Sequence, residues 1–132
     1  MTLQDRATTL ANHERFIQRV VASGEVWALE AADAWAACES VEDSDGDGVP
    51  REVMPFWSDR AYAQRAAAGE WARFVPTPIP LDDFIDRWLK GMHADGTLAG
   101  TNWDAHNSGV EIEALELAQA LLAALEGQQA ST

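Results

Sequence analysis

The chain has 132 residues, 9 Lys+Arg against 22 Asp+Glu, and a formal net charge of −13. Its length suits one domain, and its apolar content of 47% is too high for a disordered acidic tail. The charge repels nucleic-acid backbones and anionic lipid, so neither is an expected partner.

Residues 8–23 read as a helix, with Leu10, Phe16, Ile17, Val20 and Val21 at helical spacing. Asn12 or the Thr8–Thr9 pair would cap its start, and Gly24 supplies the left-handed stop. Two short strands follow, 25–30 and 34–39, joined by a tight turn that would set Trp27 opposite Trp35. A third strand spans 51–57, and its Pro55 suits an edge position or the strand's end. Ser58 caps a short helix through Ala68, and Trp71–Val75 reads as another strand. The run Pro76-Thr-Pro-Ile-Pro80 must be extended.

Residues 81–92 form the clearest helix, because Leu81, Phe84, Ile85, Trp88, Leu89 and Met92 make one unbroken apolar stripe. Asp82, Asp83 and Asp86 occupy its first turns, where the dipole favours them. A strand at 97–103, a loop at 104–109, a brief extended piece at 110–112 and a closing helix at 113–125 complete the chain. The expected fold is one α+β domain over residues 8–126, with a small, mostly antiparallel sheet of about five strands and about four helices packed on it. Residues 1–7 and 127–132 are expected to fray.

The charge is unevenly placed. Residues 24–50 carry eight acids (Glu25, Glu30, Asp33, Glu39, Glu42, Asp43, Asp45 and Asp47) and no base. From residue 91 onward six more acids stand without a Lys or Arg, while residues 51–90 are balanced. Two base-free stretches lying side by side would attract a basic partner; lying apart, they would only solvate the surface.

Cys38 is the one cysteine, so no internal disulfide forms, and its apolar neighbours suit a buried, inert thiol. No secretory signal is evident at the N-terminus, and the longest apolar stretch is too short for a bilayer, which makes the cytoplasm the expected compartment.

Asp43-Ser-Asp-Gly-Asp-Gly48 matches the start of a calcium loop, with oxygen ligands at alternate positions. Its second half fails: Met54 stands where a bidentate Glu should close the shell, and the flanks read as strands. An acidic hairpin loop is the expected structure, with weak calcium binding at Asp43, Asp45 and Asp47 left open. Asp104 and His106 could contribute to an acid–base or metal site, but no HExxH or CxxC motif supports one. No GxSxG elbow and no glycine-rich phosphate loop is present. Neither catalytic residues nor a cofactor are therefore assigned.

Of six tryptophans, Trp88 lies on the apolar stripe of its helix and belongs to the core. Trp57, Trp71 and Trp103 each lie beside a turn or proline-rich bend, so they either add bulk to an alanine-rich core or line a cleft or partner surface.

The order of Asn12-His-Glu-Arg-Phe16, Glu25-Val-Trp-Ala-Leu29, Arg51-Glu-Val-Met-Pro-Phe-Trp-Ser58, Gly69-Glu-Trp71, Leu81-Asp-Asp-Phe-Ile-Asp-Arg-Trp-Leu89 and Thr101-Asn-Trp-Asp104 resembles the bacterial family called domain of unknown function 2750, over about residues 12–125. The resemblance implies a small bacterial cytosolic protein and carries no activity or catalytic residues. The DSDGDG stretch is longer than the compact turn it implies there. A fainter similarity to SseB-type regulatory domains, through the Phe-Trp-Ser and Pro-Leu-Asp-Asp-Phe helix starts, concerns fold only.

The leading expectation is a non-enzymatic binding protein that presents an acidic, tryptophan-flanked surface to a basic protein partner, an immunity-like role being one concrete form. Its site residues are Glu39, Glu42, Asp43, Asp45, Asp47, Trp57, Trp71, Trp103 and Asp104. The alternative is a small-molecule-binding protein or enzyme with a cleft near Trp57, Trp71, Trp103 and His106. Homodimerisation through the Ala-rich face of the last helix is compatible with both.

Overall fold

Helix α1 (Leu3–Ser23) buries Phe16 and Val20 completely and ends at Gly24, whose φ of 77° provides the left-handed stop. The helix begins earlier than its apolar pattern predicts. Asn12 and Thr9 are therefore interior residues, with Asn12 Oδ1 accepting from Arg15 and Thr9 Oγ1 donating to the Arg6 carbonyl, and neither is a cap. The computed structural model describes residues 3–44, 47–104, 106 and 108–130.

Strand β1 (Glu25–Ala31) turns through residues 32–33 into the two-residue β2 (Ala34–Trp35). The register pairs Glu30 with Trp35, so Trp27 does not face Trp35. Trp35 instead meets Trp88 edge-to-face at 4.6 Å. The expected strand 34–39 breaks at residues 36–37, and the chain crosses to a second sheet as β3 (Cys38–Ser44). Strand β4 (Pro50–Phe56) pairs antiparallel with β3, and helix α2 (Arg60–Ala66) and a 3-10 turn (Gly69–Trp71) follow.

The proline run is itself a strand, β5 (Val75–Pro80), paired antiparallel along the length of β1. This moves the expected strand at 71–75 forward. Pro76, Pro78 and Pro80 alternate with Thr77 and Ile79, so the three missing N–H groups fall on the outer, unpaired side of this edge strand. An edge without donors there resists pairing with another chain.

The apolar stripe forms a continuous helical run. Helix α3 (Leu81–Asp83) widens into i→i+5 hydrogen bonding over Phe84–Leu89 and returns to α-helix as α4 (Lys90–Asp95). Strand β6 (Leu98–Thr101), strand β7 (Val110–Glu113) and helix α5 (Ala114–Ala130) complete the chain, α5 running past the expected end at residue 125.

The class is α+β, and among the described residues the strands divide into two sheets, ordered β2-β1-β5 and β3-β4-β6-β7. All pairings are antiparallel except β4 with β6, which run parallel with Phe56 beside Thr101. Strand β4 is interior to its sheet, and Pro55 sits next to its last residue. Trp27 and Trp57 exchange two backbone hydrogen bonds of 2.8 Å that join the sheets.

Each face of the second sheet meets its own core. One gathers Phe16, Val20, Phe56, Phe84, Leu117 and Leu121 beneath the helices, and the other gathers Val53, Leu98, Trp57, Trp71, Phe74 and Trp103. No helix among the described residues is long and apolar enough to cross a membrane.

Candidate functional site

Trp57, Trp71 and Trp103 are core residues, 0%, 6% and 4% exposed. Trp57 and Trp71 meet edge-to-face at 6.4 Å. Trp57 Nε1 donates to the Trp103 carbonyl at 3.3 Å, and Trp103 Nε1 donates to the Val110 carbonyl at 2.9 Å. With these polar tips satisfied inside the molecule, the rings can be buried. The aromatic flank of an acidic surface, and the cleft of the alternative reading, are therefore not built from these three side chains. His106 is exposed, and Asp104 Oδ1 accepts from the backbone N–H groups of His106 and Ser108, shaping its own loop.

The acidic stretches do approach each other. Ser40 on one edge strand of the second sheet donates to Glu111 on the other at 2.5 Å, so the sheet curls over the Trp103 side. Cys38 is half-buried; burial pushes its thiol pKa up, and the charges of Glu111, Glu70, Glu39 and Glu52 push it further. Four carboxylates thus stand within electrostatic reach of one side chain, from both base-free stretches and from the balanced middle. An inert thiol is the chemical result.

Glu39 and Glu52 are paired directly across β3 and β4, an arrangement that disfavours the strand pair. Neither they nor Glu70 have a basic partner among the described residues, whereas Glu113 is held by both Nη atoms of Arg51 and Asp33 by Arg73. Of the other expected acids, Asp47 is exposed, Glu42 and Asp43 stand on β3, and Asp45 lies outside the described residues. Of the three carboxylates in the calcium reading of the DSDGDG stretch, the middle one thus lies outside the described residues. Among the described residues, no group of three or more His, Cys, Asp or Glu is placed to hold a metal ion.

A second constellation stands at the carboxyl ends of β4 and β6. Asn102 has a φ of 46°, the one positive value at a non-glycine among the described residues, and is 5% exposed. Its Oδ1 accepts from the Ser58 backbone N–H at 2.8 Å, while its Nδ2 donates to Ser58 Oγ at 3.0 Å and to the Asn12 carbonyl at 3.3 Å. Ser58 Oγ donates to Asp59 Oδ1 at 2.6 Å. The Asp59 carboxylate takes both Nε (2.7 Å) and Nη2 of Arg19, which holds its pKa below the usual carboxylate range. Beside this chain His13 Nδ1 contacts Thr101 Oγ1 at 2.7 Å, and burial lowers the imidazole pKa.

By sequence alone Ser58 is only a helix cap and Asn102 has no role, whereas α2 has Asp59 at its N-cap position. The signal available was their presence in the Phe-Trp-Ser and Asn-Trp-Asp pieces. Glu52 and Glu70 were hidden by the neutral sum of residues 51–90, and Glu111 needed the sheet to bring it to Ser40.

A family model described as a protein of unknown function (DUF2750) matches residues 13–121, most of the chain. Comparison with the curated proteins and with the solved structures returns no match. The likeness to SseB-type domains therefore rests on its residues alone.

Proposed function

The chain belongs to the DUF2750 family, and we propose that it is a cytoplasmic binding protein offering the carboxylates around Cys38 to a basic protein partner. The observation that carries this reading is the direct opposition of Glu39 and Glu52 across the β3–β4 ladder, with no basic partner for either among the described residues. Like charges so placed lower stability, and a cationic side chain docked between them removes the penalty. Glu70 and Glu111 add negative potential at Cys38, on the other face of the same ladder, and the buried Trp57–Trp71–Trp103 group backs that ladder. Restraint of a basic effector, as an immunity protein provides, is one form this binding takes.

The test is retention of partners on immobilised protein at low and high salt, beside the double variant Glu39→Lys, Glu52→Lys. A partner held at low salt, released at high salt and absent from the variant supports the reading, since exposed charge pairs are screened within about 8 Å at physiological ionic strength. Retention unchanged by salt or by the variant, or no retained partner, overturns it.

A further inference from the structure

Strands β4 and β6 run parallel, so their carboxyl ends lie side by side before the chain diverges, into α2 after one and into the 102–109 segment after the other. Beyond the carboxyl end of β4, an open cleft of about 550 Å³ is lined by Arg19 and Ser23 from α1, Trp27 from β1, and Ser58, Asp59 and Arg60. That volume falls within the range of small-molecule sites.

The wall of the cleft is held from behind. Asn102, in its left-handed conformation, grips Ser58; Ser58 holds Asp59; Asp59 holds the Arg19 fork. Backbone strain at a buried residue persists where the surroundings enforce it, and such residues cluster at ligand sites. The arrangement leaves Arg19 fixed and already engaged. Arg60 has no carboxylate partner among the described residues.

The charges decide the ligand. Arg19 and Arg60 line the cleft against the carboxylates of Asp59 and Glu25, so the lining is neutral in sum on a chain whose total is −13. Arg19 is committed to Asp59, which leaves the Arg60 guanidinium as the uncommitted cation of the cleft among the described residues. A single negative charge matches that one guanidinium, whereas a dianion meets the net negative field of the molecule. The guanidinium fork matches a carboxylate, and the half-buried Trp27 provides an aromatic surface beside it.

We propose that this cleft binds a small monoanionic carboxylate with a planar, apolar body, the carboxylate held by Arg60 beside the Arg19–Asp59 pair and the body against Trp27. The site is separate from the carboxylates around Cys38 and does not depend on their having a partner.

Benzoate is the probe and benzamide its neutral counterpart. Full-length protein is titrated to roughly 10 mM, well past the millimolar affinity of a fragment of this size, in ¹H–¹⁵N spectra that resolve the indole N–H of Trp27, assigned from Trp27→Phe. The proposal expects a saturable shift of that signal with benzoate and binding at least about tenfold weaker for benzamide and for Arg60→Gln, since a charge-assisted hydrogen bond is worth about a decade in affinity. Arg60 is exposed, so the variant should fold, and Arg60→Lys should recover part of the binding. No saturable shift at Trp27, equal binding of benzamide, or unchanged binding by Arg60→Gln overturns it.

Discussion

Replacing Asn102 separates the two things that residue does. Asn102→Ala removes the acceptor for the buried Ser58 N–H and the donor to Ser58 Oγ and the Asn12 carbonyl. An orphaned buried donor costs about 1–3 kcal/mol. The φ of 46° is retained, and alanine in the left-handed region costs about 1–2 kcal/mol more. The expected loss is about 3 kcal/mol, a large part of the 5–15 kcal/mol typical of a domain. Asn102→Gly leaves the same donor unpaired but relieves the backbone, offset by the roughly 0.5–1 kcal/mol that glycine loses in conformational freedom. It should therefore be destabilised less than the alanine variant. Urea unfolding followed by tryptophan emission reads both, provided the slope against denaturant is unchanged. An alanine variant within about 1 kcal/mol of the parent would refute the network as a clamp. A glycine variant less stable than the alanine one would refute the strain.

Three further outcomes are expected. A Cβ at Gly100 would lie 2.6 Å from Cζ2 and Nε1 of the buried Trp103 ring, so Gly100→Ala should cost about 1–3 kcal/mol by overpacking, and a thermal melt indistinguishable from the parent would contradict that placement. Burial holds the His13 pKa below its ordinary 6.5, so the unfolded chain takes up its proton first as pH falls. The stability due to neutral His13 is complete above 6.5 and is lost as pH drops through that value towards the lower folded one. Between about pH 7.5 and pH 5.5 the urea midpoint should thus fall less in His13→Gln than in the parent, and an equal fall would count against it. Trp57 is fully buried, and Trp57→Ala should cost about 3–5 kcal/mol in the same urea assay, where a surface-presented indole would cost little.

The legible parts of the fold were those whose information is local. The stripe from Leu81 to Met92 places Phe84, Leu89 and Met92 in the core as its spacing requires. The proline run announces extended backbone, but only the partner strand reveals that its odd-numbered residues bond to β1. Parallel pairing of β4 with β6 joins Phe56 to Thr101 across an intervening helix, strand and helix, and no local pattern specifies that. The candidate site suffered most from this. Ser58 and Asn102 are ordinary polar residues until the parallel pair sets them side by side. The tryptophans misled for a related reason: a turn beside Trp57 or Trp103 says nothing about which side of the chain faces inward. Charge counted by segment located Glu39 but not its opposition to Glu52, which is a property of register.

The backbone joint between Trp27 and Trp57 has a consequence for how the molecule opens. Each donates to the other's carbonyl, so the three-stranded and four-stranded sheets form one hydrogen-bonded surface. Neither sheet can separate from the other without breaking bonds whose atoms sit beside a fully buried ring. Amide protons at these two positions should then exchange with solvent only through openings that part the two sheets.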